Sequence, residues 1–261
     1  MHTDDTKDKT TSMQLEGKNS VLEALRSDQT IERLIIEDKN DTGDSKTGGD
    51  SKYHTILREA KKKHIPIDFV KKERLESIAE TDHHQGVIAK LSAFRYGTVD
   101  DAIRLADAAG EDLFLFLLDG IEDPHNLGAI IRTAHQAGAH GVIIPKRRAV
   151  GLTATAVSAS AGAVNHIPVI KVTNLSDTIK ELKAKGLWFV CADMDGTIMY
   201  DVNLGGPIGL VIGSEGGGVS RLVKQSCDMT ARIPMKGKID SLNASVAAGV
   251  LAYEIVRQRR Q

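Results

Sequence analysis

Short unbroken apolar runs recur along the chain, separated by stretches in which apolar positions return every three or four residues. The first kind of pattern predicts strands and the second helices. From Gly17 to about Arg95 the runs Leu34 to Ile36, Ile67 to Val70 and Gly86 to Lys90 read as strands. Tyr53 to Lys63 and Arg74 to Glu80 read as helices, so a small α/β unit is expected. Between its first strand and first helix, Glu37 to Lys52 holds no apolar residue and is rich in Asp, Gly, Ser, Thr and Lys, which predicts a mobile loop. Tyr96 to Asp112 reads as a linker with a short helix.

A different pattern begins after Glu111. Leu113 to Leu118 is wholly apolar and ends in Asp119-Gly120, as expected of a strand buried on both faces of a parallel sheet. Further strands are predicted at Val142 to Ile144, Leu187 to Ala192, Ile208 to Ile212 and Met229 to Ile233. Helices are predicted at Asn126 to Gln136, Leu175 to Lys185, Ser220 to Gln225 and Asn243 to Gln258. Such alternation predicts a second α/β domain with its ligand site at the carboxyl ends of the strands.

Composition narrows the functional classes. The 261 residues carry 34 Lys plus Arg against 35 Asp plus Glu, so a nucleic-acid partner must be held by local patches and not by net charge. Lys61-Lys62-Lys63-His64, Lys71-Lys72, Lys146-Arg147-Arg148, Lys236 and Lys238 are the candidates for phosphate contact. Aromatic residues make up 4%, too few for a stacking platform of the single-strand-binding kind. The two cysteines, Cys191 and Cys227, have no metal-ligand spacing and suit a reducing cytoplasm, and no metal site is expected. The polar start, Met1 to Met13, reads as a solvated tail, neither a signal peptide nor a membrane anchor.

Two motifs invite functional readings that their spacing weakens. Asp193-Met194-Asp195-Gly196-Thr197 after a strand resembles the DxDGT signature of haloacid-dehalogenase-type phosphatases, but no later pair of acids has the spacing needed to hold Mg²⁺. A strand followed by an Asp/Gly turn is the preferred reading. Gly213-Ser214-Glu215-Gly216-Gly217-Gly218 fits neither dinucleotide nor P-loop spacing, although a turn without side chains lets backbone approach a ligand closely.

Two further segments give that turn its meaning. Asn126-Leu127-Gly128-Ala129-Ile130-Ile131-Arg132-Thr133-Ala134 opens a helix, and Ile233-Pro234-Met235-Lys236-Gly237-Lys238-Ile239-Asp240-Ser241-Leu242-Asn243-Ala244-Ser245 leads into the last one. Taken alone, Ser241 or Asn243 is a credible helix N-cap and Arg132 an ordinary solvated residue. In this order the three segments resemble the motifs of the SpoU (TrmH-type) RNA ribose 2′-O-methyltransferases of the SPOUT superfamily. The Gly17-Lys18-Asn19-Ser20-Val21 start and His84-Gln85-Gly86-Val87 extend the likeness to the RlmB branch, with its ribosomal-protein-L30-like domain.

The resemblance implies a tail over 1–12, an L30-like RNA substrate-binding domain over 13–95, a linker over 96–110 and a methyltransferase domain over 111–261. It implies a deep trefoil knot around an S-adenosylmethionine pocket, where chain topology rules alone would expect no knot. Gly213, Ile233 and Leu242 match its cofactor-binding positions; Asn126, Arg132, Glu215, Ser241 and Asn243 match its polar active-site set. The implied activity is methyl transfer to a guanosine ribose of large-subunit (23S) rRNA by a homodimer, without metal. Alternatives are a tRNA substrate or a catalytically idle RNA-binding protein. Arg132, protonated at neutral pH, suits stabilisation of the reacting 2′-oxygen better than proton abstraction, and the proton acceptor is left open.

Overall fold

A computed structural model describes residues 14–26, 30–38, 51–91, 95–237 and 241–260. The chain divides between Arg95 and Tyr96 into two compact units. The tail expected over 1–12, most of the loop expected between Glu37 and Lys52, and Lys238 lie outside the described residues.

The first unit comprises β1 (Gln14–Glu16), α1 (Lys18–Arg26), β2 (Ile31–Glu37), α2 (Ser51–Lys62), β3 (Ile67–Val70), α3 (Lys72–Ile78) and β4 (Val87–Leu91). Its sheet runs β1-β4-β2-β3. β4 is antiparallel to β1 and β2, and β3 is parallel to β2. Period-two alternation explains why β2 is apolar at three successive positions: Leu34 and Ile36 pack with Val21, Leu25 and Ile56 of α1 and α2, while Ile35 packs with Leu75 of α3. Burial of both sheet faces hides the alternation that a one-sided strand would show.

The second unit comprises α4 (Val99–Ala109), β5 (Phe114–Asp119), α5 (Pro124–Gln136), β6 (Gly141–Pro145), α6 (Ala154–Ala159), β7 (Val169–Val172), α7 (Leu175–Lys183), β8 (Trp188–Ile198), β9 (Ile208–Gly213), α8 (Arg221–Ser226), β10 (Met229–Arg232) and α9 (Ala244–Arg259). The sheet order is β10-β8-β9-β5-β6-β7, with every neighbouring pair parallel. β5 is central, and Phe114 to Leu118 are fully buried, as its unbroken apolar run predicts.

Residues 96–110 are built into this unit. Thr98 caps α4 through a reciprocal box with Asp101, and Ala102 lies in one buried cluster with Leu115, Ile143 and Ile170. Sequence patterning does not foresee β1, α1, α6 or β7. α6 (Ala-Thr-Ala-Val-Ser-Ala) carries no amphipathic stripe, and β7 is only four residues long. β8 runs past its expected end at Ala192, because its pairing with β10 jumps from Cys191 to Thr197. Residues 192–196 bulge out there and β8 resumes beyond them.

Candidate active site

The parallel sheet brings the carboxyl ends of β5 and β9 side by side, with Asp119 opposite Gly213. At Gly213 the chain enters a turn in which Ser214 and Gly218 exchange backbone hydrogen bonds of 3.1 and 2.9 Å. A β-carbon on Gly213 would come within 2.0 Å of the Gly218 carbonyl carbon, so the turn closes only on glycine. The far side is pinned to β5 by Ser220 N–H, which donates to Asp119 Oδ2 at 2.7 Å.

This turn forms one wall of a cleft of about 550 Å³. The bulge of β8 supplies Asp193 and Met194, the segment after β10 supplies Ile233 and Met235, and the approach to α9 supplies Ser241 and Leu242. The volume lies in the range of small-molecule sites. Five of the residues singled out by sequence, Gly213, Glu215, Ile233, Ser241 and Leu242, therefore line one cavity.

Asn126 and Asn243 join them through Glu215. Asn126, 8% exposed at the start of α5, donates its Nδ2 to Glu215 Oε1 at 3.0 Å. Asn243 donates its Nδ2 to Asn126 Oδ1 at 3.0 Å and also to Glu215 Oε1. The other end of the Asn243 amide caps α9, its Oδ1 accepting from Ser245 N–H at 3.0 Å and Val246 N–H at 3.3 Å. The helix-cap reading and the site reading of Asn243 thus hold together. Two amide donors on one carboxylate oxygen fix Glu215 in place at the cleft wall.

Arg132 is not brought into this cluster. It is exposed on α5, six positions beyond Asn126, and its side chain has no hydrogen bond or ion pair among the described residues. With 3.6 residues per turn, that offset turns it to a different face of the helix from Asn126.

Asp193, which sequence reading treats only as part of a misleading phosphatase motif, is a wall residue of the cleft. Its Oδ2 lies 2.7 Å from Lys224 Nζ, and its Oδ1 accepts from Asp195 N–H at 3.0 Å. Burial alone would raise its pKa, but these two partners outweigh burial and hold the carboxyl below its ordinary value. Nothing in the sequence pattern links Asp193 to Lys224; the pairing arises because α8 packs beside the β8 bulge. Among the described residues no group of three or more His, Cys, Asp or Glu is placed to hold a metal ion.

The donor set favours a particular kind of ligand. Met194, Ile212, Ile233, Leu242 and Leu251 offer apolar surface, the turn offers backbone, and Asp193 and Glu215 offer carboxylates. A β-carbon added to Gly216 would meet nothing within 4 Å, so that part of the turn leaves open space. Apolar walls suit a flat purine, and carboxylates suit hydroxyl and cationic groups.

Known proteins are similar to this chain over most of its length. Residues 112–253 match the SpoU rRNA Methylase family, and residues 14–97 match the domain described as RNA 2′-O ribose methyltransferase substrate binding. YacO of Bacillus subtilis (strain 168), assigned to the TrmH family of tRNA/rRNA methyltransferases, is 46% identical over 246 residues, 93% of this chain and 94% of YacO. A Staphylococcus saprophyticus protein of the same assignment is 43% identical over 244 residues, 93% of this chain and 94% of that protein. Among solved structures, the SpoU methyltransferase AviRb from Streptomyces viridochromogenes, in complex with AdoMet, is 25% identical with a TM-score of 0.57, covering 94% of this chain and 89% of AviRb. An AdoMet-bound rRNA methyltransferase from Sinorhizobium meliloti is 26% identical with a TM-score of 0.56, covering 96% and 89%. The chain thus belongs to the SpoU rRNA methylase family, and is an RNA methyltransferase that carries a substrate-binding domain ahead of its methylase domain.

Proposed function

We propose that this protein transfers a methyl group from S-adenosylmethionine to the ribose 2′-oxygen of a guanosine in 23S rRNA. The observation that carries the reading is the hydrogen-bonded cluster of Asn126, Glu215 and Asn243, set beside a cleft lined by Gly213, Ile233 and Leu242. The AdoMet complexes of two family members and the fit of the donor set support the cofactor.

Bound in the cleft, the cofactor supplies an already electrophilic methyl on a sulfonium, so the residues of the chain have to align the acceptor oxygen and ease loss of its proton. Gly213 and its turn would bring backbone up to the ligand, and Ile233 and Leu242 would offer apolar surface to its adenine. Asn126 and Asn243 hold the Glu215 carboxylate, which orients the incoming nucleotide. Ser241 shapes the loop around the ribose. Arg132 supplies a guanidinium fork to the developing oxyanion and its phosphate.

Arg132 enters the site when a second copy of the chain or the RNA completes it. A homodimer is part of the proposal: α9 leaves Val246 and Tyr253, seven positions apart on one face, 50% and 54% exposed, which is the kind of surface that a partner subunit covers. The trefoil threading of the segment into α9 belongs to the same reading. The cytoplasm is the proposed compartment, in keeping with two free thiols; among the described residues no helix is long and apolar enough to cross a membrane.

The test is to map ribose methylation in 23S rRNA and in tRNA with and without the protein. A single missing 2′-O-methylguanosine in 23S rRNA is expected. Loss confined to tRNA would move the substrate, and no loss in either RNA would point to an idle RNA-binding protein.

A further inference from the structure

We propose that Lys146, Arg147 and Arg148, on the loop leaving β6, form a phosphate-binding subsite that holds the backbone of substrate RNA at the end of the sheet where the cleft lies. The proposal rests on the reading of the protein as an enzyme acting on RNA at that cleft.

Placement is the first ground. β6 runs parallel to β5 and β5 to β9, so the loop after Pro145 opens at the same end of the sheet as Gly213. The loop is held on three sides. Lys146 N–H donates to Val172 O at 2.8 Å, Val150 N–H to Ile121 O at 2.9 Å, and Leu152 N–H to the Tyr96 hydroxyl at 2.8 Å. Ile121 stands five residues before Asn126, so the loop is tied to the segment that positions the polar cluster.

Burial without a counter-charge is the second ground. Lys146 is only partly exposed, and burial is the one cause that lowers its pKa, with no carboxylate acting against it. None of the three cations has an ion pair among the described residues. Of the acids flanking Ile121 in sequence, Asp119 accepts from Ser220 N–H at 2.7 Å and Asp123 caps α5 by accepting from His125 N–H at 2.9 Å. Lys146, drawn partly out of water without an acid partner, is stabilised by an incoming anion, and the exposed Arg147 and Arg148 beside it are free to meet the same backbone.

Backbone conformation is the third ground. Arg148 has φ of +56°, a left-handed geometry that a β-carbon disfavours and that glycine adopts readily. A charged side chain held at such a position is strain kept where a ligand would meet it. The other basic runs do not combine these features. Lys61 to Lys63 precede a left-handed residue, His64, but are exposed at the end of α2, where cations favour the helix dipole, and Lys72 faces Glu76 at 3.8 Å. Three consecutive cations suit a run of phosphates, which positions RNA without reading its sequence.

The test uses the full chain with unmodified transcripts of 23S rRNA and of a tRNA, comparing wild type with Lys146→Gln, Arg148→Gly and the combined Lys146→Gln/Arg147→Gln/Arg148→Gly variant. RNA affinity is measured against salt, alongside Tm, S-adenosylmethionine binding by calorimetry, and the KM and kcat of methyl transfer. For each phosphate that a variant no longer neutralises, the slope of log K against log salt should become shallower by about 0.7 to 0.9, the span between single-stranded and duplex backbone. KM for RNA should rise several-fold while kcat stays within about twofold and cofactor affinity holds. Arg148→Gly is the discriminating variant: it relieves the backbone, so Tm should hold or rise while RNA binding weakens. An unchanged slope in the combined variant, with cofactor binding intact, overturns the subsite. If the wild-type protein methylates neither RNA, the underlying reading fails instead, and the salt slope, read from binding alone, still decides the loop.

Discussion

Asn243 Nδ2 donates to Asn126 Oδ1 at 3.0 Å across 117 positions of sequence, and both amides converge on Glu215 Oε1. The first helix after the central strand and the last helix of the chain are thereby joined at one carboxylate. Asn243 serves the helix with its oxygen and the site with its nitrogen, and a single atom exchange separates the two duties.

Asn243→Asp keeps an acceptor for Ser245 and Val246 N–H and so keeps the cap, but it replaces the donor by a carboxylate facing Glu215. Stability should change little through the cap, whereas Asn243→Ala should cost about 1 kcal/mol. Turnover should fall on the order of 10²-fold in both variants, the scale of removing one preorganised polar group. Thermal melts paired with kcat check this; an Asp variant of near-normal turnover would sink the donor role.

Arg132→Lys keeps the positive charge and loses the bidentate fork, so it should behave nearly like Arg132→Ala, with kcat down on the order of 10²-fold or more. Because Arg132 is exposed and without a protein partner among the described residues, neither variant should move Tm, and cofactor affinity should stay within a small factor. Near-normal turnover in the Lys variant, with an effect that fades as salt rises, would reduce Arg132 to general attraction for RNA.

Two glycines of the same turn should respond differently. Gly213→Ala forces a β-carbon to 2.0 Å from the Gly218 carbonyl carbon and should abolish cofactor binding and lower Tm. Gly216→Ala meets nothing within 4 Å and should leave Tm unchanged. Calorimetry with S-adenosylmethionine and no added metal reads both, and full cofactor affinity in Gly213→Ala would remove the turn from the pocket.

His140 gives the methylase unit an acid sensitivity. Its Nδ1 accepts from Phe114 N–H at 3.1 Å, and burial, which outweighs the opposing pull of Glu111, holds its pKa below the usual value. The folded state therefore favours neutral imidazole. This contribution is complete above the unfolded pKa of about 6.5 and is lost as pH falls through the lowered folded pKa. His140→Asn, which retains an acceptor for Phe114 N–H, should show a flatter fall of Tm from pH 7 into the acid range; parallel curves would exclude His140 as the source.

A fragment of residues 96–261 should fold, bind S-adenosylmethionine and methylate RNA poorly, since the substrate-binding domain is missing. A fragment beginning at Gly110 also removes α4 and with it Ala102, which is fully buried against Leu115 and Ile143. It should melt lower than the longer fragment. Equal kcat/KM on rRNA for the 96–261 fragment and the full chain would show that the first unit does not serve the substrate.

The residue types at the site could be read without coordinates, because glycine, asparagine and arginine at fixed offsets from strand ends are local features of the chain. So could the central strand: Leu113 to Leu118 has no polar position, and only a strand covered on both faces tolerates that. Local pattern could not reveal α6 or β7, which are short and lack a contrasting face, or the continuation of β8 beyond Ala192, which depends on what β10 pairs with. Nor could it reveal that Asp193 belongs to Lys224, or that Asn126, Glu215 and Asn243 share one oxygen. Those are non-local facts, set by strand order and by the return of α9 against α5. The chain by itself determined which chemical groups are present and which elements carry them; the parallel sheet, by bringing strand ends together from distant parts of the sequence, decided which of those groups meet, and Arg132 is the one it leaves facing outward.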